Sequence, residues 1–238
     1  MAYKSKIEWT GNTWNPVTGC TKVSDGCANC YASTMANRLQ KMGNKKYAYG
    51  FQLTLQESCL DDPLNWRKPS LIFVNSMSDL FHEDVPTDYI KRVFAVMNQA
   101  TRHTFQILTK RAERLSALSS ELTWSSNIWQ GVTVENEKYK YRIDYLRTVP
   151  TAVRFISFEP LIGNVGDVDL TGINWAIVGG ESGFKSRGMD PVWVLNLKEQ
   201  CEQQNTLFYF KQWGGTNKKK NGRELLGRTW DSMPELSL

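Results

Sequence analysis

The chain has 238 residues, enough to bury a full hydrophobic core as one large domain. Its hydrophobic (41%) and charged (22%) fractions are those of a globular protein, and no apolar run is long enough to span a bilayer, which excludes a membrane-spanning helix. The formal net charge of +5 suits an anionic partner such as nucleic acid without requiring one, and the N-terminus lacks the apolar stretch of a signal peptide, so a cytoplasmic location is expected.

In chain order, an apolar run predicts a first strand over 14–17. Three cysteines follow within eleven residues, Cys20, Cys27 and Cys30, and lead directly into a helical pattern over 31–42. Strands are expected over 52–56 and 71–75. A helix over 88–100 is expected next, with Ile90, Val93, Phe94 and Met97 on one face and Thr87 as its N-cap after Pro86. A strand over 105–108, a helix over 111–119, a strand over 128–134 and a helix over 137–147 continue the alternation. Strands over 153–158 and 175–178 are joined by 161–172, which has no helical pattern. A helix over 191–204, opened by Pro191, and a strand over 207–211 complete the series. Several strands are continuously apolar, the mark of strands covered on both faces. Strand alternating with helix means parallel βα units, and in one chain of this length without a linker it predicts a parallel (β/α) barrel, complete or partial; a doubly wound open sheet is the alternative. Residues 1–214 read as one barrel-like domain with its cysteine loop at 19–31, and 215–238 as a basic tail, mostly loop, carrying Lys218, Lys219 and Lys220.

In such barrels chemistry sits after the carboxyl ends of the strands. Those positions hold the cysteines, then Asn75, Ser76, Ser78 and Asp79, then Lys110 and Arg111, then Glu135 and Asn136, then Ser157 and Glu159, then Gly179, Gly180, Glu181, Ser182 and Gly183, then Lys211 and Gln212. Singly, each has a plain explanation as a helix cap, a tight turn or a solvated charge. As a set after nearly every strand, they predict one shared mouth.

Clustered thiols in a reducing compartment point to a metal or cluster. A structural zinc ion asks for four protein ligands, and the fourth would have to come from Cys59, His82, His103 or Cys201, all distant in sequence. A four-iron cluster held by three cysteines leaves one iron free for a small chelating ligand. On this ligand logic the [4Fe-4S] cluster stands ahead of zinc, which remains the alternative; the Cys-x6-Cys-x2-Cys spacing excludes a plain disulfide pair and does not fix the metal.

A three-cysteine loop after the first strand of a βα barrel, followed at once by a helix, resembles the radical S-adenosylmethionine (radical SAM) superfamily, although that superfamily commonly has three residues in the first gap, where this chain has six. Over nearly its whole length the chain also resembles the three-Cys-motif phage proteins, filed as a domain of unknown function. The segments Trp14-Asn-Pro-Val-Thr-Gly-Cys20, Gly26-Cys-Ala-Asn-Cys-Tyr-Ala32, Phe73-Val-Asn-Ser-Met-Ser-Asp-Leu-Phe-His82, Ile107-Leu-Thr-Lys-Arg111, Ile156-Ser-Phe-Glu-Pro-Leu161, Val178-Gly-Gly-Glu-Ser182 and Phe210-Lys-Gln-Trp-Gly214 carry the likeness. The resemblance implies a [4Fe-4S] cluster on Cys20, Cys27 and Cys30, S-adenosylmethionine as cofactor, 5′-deoxyadenosyl radical chemistry and an electron donor.

On this reading Asn75, Ser76, Glu159, Gly179, Gly180, Glu181 and Ser182 are the candidates to hold cofactor or substrate. Lys110, Glu135, Glu159 and Lys211 are the catalytic candidates. Lys110, Arg111 and Lys211 suit an anionic group, and a nucleic acid or nucleotide is the expected substrate, with a partner protein as a further expectation. Two other readings stand beside it. A divalent-metal hydrolase or nuclease would use Asp79, Glu135, Glu159 and Glu181 as oxygen ligands over a structural zinc loop. A non-catalytic binding module would use the metal loop to stiffen a recognition surface.

Overall fold

A computed structural model describes residues 3–5 and 7–235. Its strands are β1 (Tyr3–Lys4), β2 (Asn12–Trp14), β3 (Val17–Thr18), β4 (Thr54–Leu55), β5 (Leu71–Val74), β6 (Thr104–Thr109), β7 (Ile128–Thr133), β8 (Val153–Phe158), β9 (Trp175–Gly179) and β10 (Leu207–Gln212). Its helices are α1 (Tyr31–Lys41), α2 (Thr87–Gln99), α3 (Ala112–Leu118), α4 (Arg142–Arg147), α5 (Pro191–Gln203) and α6 (Lys218–Asn221).

Eight strands form one sheet in the order β1-β2-β5-β6-β7-β8-β9-β10. β1 is antiparallel to β2, and every other pairing is parallel. The seven parallel strands curl into a half-barrel. A doubly wound sheet needs the strand order to reverse partway. Here it rises steadily along the chain, so the alternative expectation falls and the partial barrel stands.

Four local expectations are corrected. The strand over 14–17 is broken, because Pro16 has no N–H for a ladder bond; β2 stops at Trp14 and β3 starts at Val17. The run 52–56 never enters the barrel: only Thr54–Leu55 is a strand, and it pairs antiparallel with β3 in a separate ribbon. Thr87 is not a cap. Pro86 occupies the N-cap position in an extended conformation, and Thr87 is the first helical residue. The helix over 137–147 divides into a 3-10 turn, Glu137–Tyr139, and the shorter α4. The segment 161–172 lacks a helix, as expected. It is held instead by Gln200 of α5 and by Gln204 just past its end, whose side chains accept from Val168 N and Leu170 N at 2.7 and 2.8 Å.

Alternation along the strands divides the core in two. Ile72, Val74, Phe105, Ile107, Ile156 and Val178 face outward under the helices in the main cluster. Phe73, Trp129, Phe155, Trp175, Ile177 and Tyr209 form a second cluster with Trp9 inside the curl. The rings of this inner plug meet edge to face or tilted, Trp9 to Phe73 at 4.7 Å and Phe155 to Trp175 at 5.7 Å between centroids. The C-terminal segment returns to the plug: Met233 packs on it, and Trp175 Nε1 donates to Ser232 O at 2.8 Å. The aromatic plug fills the curl near the strand starts, so open space lies toward the carboxyl ends.

Candidate functional site

The cysteine loop leaves β3 through Gly19, whose φ is +81° and where a Cβ would fall 2.1 Å from Gln52 O, so no side chain fits. The loop is then stitched across the barrel mouth. Asp25 N donates to Tyr139 Oη at 2.9 Å, and Ser24 Oγ donates to Glu135. Asn29 Nδ2 reaches Glu181 Oε2 at 3.0 Å and Lys185 O at 2.9 Å. Arg187 Nη1 donates to Asp25 O at 3.0 Å. A loop that leaves the β3–β4 ribbon is thus pinned by residues following β7 and β9.

Under it lies a cavity of about 440 Å³, within the usual range for small-ligand sites. Its wall includes Cys20, Cys27, Cys30, Asn75, Ser76, Ser78, Asp79, Lys110, Arg111, Ser157, Glu159, Gly180, Glu181, Ser182 and Lys211. Trp9 and Phe73 from the aromatic plug also border it, with Phe51 and Tyr31. Of the expected site residues, Glu135 and Gly179 are not at this wall, and of the other strand-end positions expected at the mouth Asn136, Gly183 and Gln212 are not there either. Glu135 is fully buried and braces the loop from behind through Ser24. Gly179 gives room to its neighbours: a Cβ there would press on Lys211 Cβ at 3.3 Å and on Glu159 Cδ at 3.4 Å.

The charged groups are matched to opposite charges, Glu135 with two cations and Arg111 with two carboxylates. Lys110 Nζ sits 2.8 Å from Glu135 Oε1, and Arg142 Nη1 sits 2.9 Å from Glu135 Oε2. Lys211 and Glu159 meet at 2.5 Å, as do Arg187 and Glu181. Arg111 contacts Asp79 at 3.1 Å and Glu83 at 2.9 Å. Burial works to raise the Glu135 carboxyl, but Lys110 and Arg142 outweigh it and hold it below the usual carboxylate range. Glu181 is held low against burial by Arg187 and Asn29. Arg142 and Arg187 were invisible to sequence reasoning. Arg142 lay in a helix read only for its apolar face, and Arg187 six positions beyond Glu181 became its partner only when the loop folded back.

These pairs bear on which metal the site suits. Among the described residues, no group of three or more His, Cys, Asp or Glu side chains closes on a single metal ion. Asp79, Glu135, Glu159 and Glu181 are each committed to a cation, so they do not form the oxygen cage that a divalent-metal hydrolase needs. The zinc alternative fares no better. Cys59 is buried and donates to Gln56 O at 3.3 Å and Asn15 O at 3.4 Å. His82 bonds Thr21 Oγ1 at 2.8 Å, His103 bonds Pro63 O at 3.1 Å, and Cys201 is in the main core. A four-iron cluster asks for something else: three soft donors spread around a body wider than one ion, with space beyond it. Cys20, Cys27 and Cys30 are free thiols, all partly exposed, and all border the same cavity. Burial pushes the Cys20 thiol up to about 11, with Asp79 adding to the rise and Arg111 opposing it.

The wall also offers polar contacts. Asn75 takes the left-handed conformation, φ 58°, so that its Oδ1 accepts from Val17 N at 3.2 Å. Its Nδ2 is buried at the cavity wall without a partner among the described residues, a donor free for a ligand. Ser182 Oγ accepts from Gln212 Nε2 at 3.1 Å and keeps its own hydrogen to offer.

A family described as "protein of unknown function (DUF5131)" matches residues 4–234. No curated protein matches the chain in sequence. Among solved structures, a mutant spore photoproduct lyase with bound AdoMet and dinucleoside spore photoproduct aligns with a TM-score of 0.50 at 13% identity, over 86% of this chain and 63% of the lyase. A second mutant of that lyase gives 0.52 at 13% identity, over 86% and 63%. The lyase complexed with dinucleoside spore photoproduct gives 0.51 at 11% identity, over 85% and 64%. The chain therefore spans less than two thirds of the lyase, and at this identity the likeness is one of fold, the partial (β/α) barrel expected from the sequence.

Proposed function

The chain belongs to the DUF5131 family of proteins of unknown function, and we propose that it is a radical SAM-type iron–sulfur enzyme acting on nucleic acid. One observation carries the reading: three free thiols and the polar groups following most of the parallel strands border a single cavity at the carboxyl mouth of the half-barrel. When bound, a [4Fe-4S] cluster at Cys20, Cys27 and Cys30 supplies one electron for reductive cleavage of S-adenosylmethionine, giving 5′-deoxyadenosyl radical chemistry, and a low-potential electron donor must replenish it.

The chain's own part is binding, orientation and exclusion of water. Asn75 Nδ2, Ser76 and Ser182 offer hydrogen bonds at the wall for the polar end of the cofactor, and Gly180 lets its strand end pack directly on the Trp213 backbone. Any side chain at Gly180 would meet Trp213 O at 2.2 Å. Glu181 acts indirectly, holding Asn29 of the cysteine loop in place. Lys110 and Lys211 stand at the wall, held by Glu135 and Glu159, where they are placed to position an anionic group. The aromatic plug seals the floor beneath them.

The rim supports a nucleic acid substrate. Lys22, Lys185, Lys219 and Lys220 are exposed on segments that meet around the mouth, and Phe184, 88% exposed, stands beside Lys185. Phosphates suit the lysines and a base face suits the ring. The aligned lyase, bound to a dinucleoside photoproduct, is consistent with such a substrate. Anaerobic purification with reconstitution tests the reading. The expected product is brown, with about four irons and four sulfides per chain, and its electron paramagnetic resonance signal changes on adding S-adenosylmethionine. A colourless, iron-free protein overturns it.

A further inference from the structure

The three thiols have unequal surroundings. Arg111 Nη1 donates to Cys20 Sγ at 3.5 Å. The same nitrogen donates to Asp79 Oδ2 at 3.1 Å, while Nε reaches Glu83 at 2.9 Å and Nη2 reaches Thr21 Oγ1 at 2.9 Å. Arg111 and Asp79 are each only 5% exposed, so water and salt screen them weakly. Asp79 is itself fixed, accepting from Thr109 Oγ1 at 2.7 Å, Phe81 N at 3.0 Å and Lys110 N at 3.1 Å. Cys27 has only Ser24 Oγ nearby, at 3.5 Å, and among the described residues neither it nor Cys30 has a charged donor on sulfur. One corner of the tripod therefore carries a buried, permanently charged guanidinium with a buried carboxylate directly behind it.

Resting on the reading of the cysteines as cluster ligands, we infer that Arg111 and Asp79 form an opposed pair that sets the cluster's reduction potential. Reduction adds one electron and breaks no bond, so the reduced form carries one more negative charge. A cation donating to a ligand sulfur favours that form and raises the potential. An anion behind the cation disfavours it and lowers the potential. Because both act on the same sulfur, removing either one moves the potential, and the two removals move it in opposite directions. Both are positioning and tuning residues rather than catalytic ones. A role confined to bracing the Cys20–Thr21 segment predicts looser cluster retention in both variants, with no opposed change in potential.

The test is a reductive titration of the reconstituted full-length protein with dithionite as the electron source, read by electron paramagnetic resonance, for wild type, Arg111→Gln, Arg111→Lys and Asp79→Asn. Circular dichroism and iron content accompany each sample. Expected is a lower midpoint in Arg111→Gln, a higher one in Asp79→Asn, and a value nearer wild type in Arg111→Lys, which keeps the charge. Midpoints that stay put, or that move the same way in Arg111→Gln and Asp79→Asn while iron is retained, overturn the inference and leave the iron–sulfur reading intact. A wild-type protein that takes up no iron overturns both.

Discussion

Glu135 and Arg142 form an ion pair almost wholly removed from water, with side-chain exposures of 0% and 1%. Removing one member strands the other in a medium that solvates it poorly, so Glu135→Ala is expected to cost about 3–5 kcal/mol in urea-unfolding free energy. Because the folded carboxyl lies below its ordinary value of 4.5, the unfolded chain binds protons first as pH falls. The contribution is complete above that value and drains away as pH drops toward the folded one, so the acid arm of the stability profile should be shallower in Glu135→Gln than in wild type. Phe184 is the opposite case, a ring that leaves solvent only when something stacks on it. Phe184→Ala should leave the unfolding midpoint unchanged yet weaken binding of a fluorescent single-stranded oligonucleotide by about 1–3 kcal/mol, roughly fivefold to 150-fold. The cysteines and strand-end polar groups were legible one residue at a time, since the distance along the chain from a strand to its following loop is local information. The partners of Glu135 and Glu181 were not, because Arg142 and Arg187 meet them through tertiary geometry that no spacing records.

The elements show a similar division. Nearly continuous apolar runs located β5, β6, β8 and β9 well, because strands covered on both faces have little polar side to blur them. The run at 52–56, Gln-Leu-Thr-Leu-Gln, alternates instead and joins the β3–β4 ribbon, since hydrophobic pattern does not say which neighbour a strand pairs with. Register is another property the pattern hides. Gly131 of β7 lies directly opposite Phe155 of β8, and a Cβ at Gly131 would fall 2.4 Å from the Phe155 ring. That glycine is the space into which the plug's phenylalanine lies, rather than a bend or a bulge. Gly131→Ala is therefore expected to destabilise by about 1–3 kcal/mol through overpacking. Pairing it with Phe155→Leu should recover part of the loss, giving a non-additive double-mutant cycle by thermal or urea unfolding. Full additivity would mean that the two side chains do not compete for the same volume.

For the molecule as a whole, the alternation of strand and helix announced the parallel barrel but not how far it closes, because closure depends on strand tilt and stagger that side chains along one strand do not encode. The half-barrel leaves a gap between its first and last strands, and the chain ends draw together there: Lys218 Nζ meets Glu8 Oε1 at 3.1 Å, while Trp9 and Met233 share the inner cluster. The basic segment after the last strand is thereby brought to the rim. A net charge of +5 is modest, so its sign matters less than where the lysines gather. If Lys22, Lys185, Lys219 and Lys220 each neutralise one phosphate of a single strand, the logarithm of the affinity should fall against the logarithm of salt concentration with a slope of about −3. Replacing all four with alanine should flatten that slope toward zero. Phe184→Ala should lower affinity at every salt concentration and leave the slope alone, since stacking releases no counterions. Equal slopes in the wild-type and four-lysine variants, measured with one oligonucleotide from low to physiological salt, would show that the rim does not carry the strand and would move the search for its path to another face.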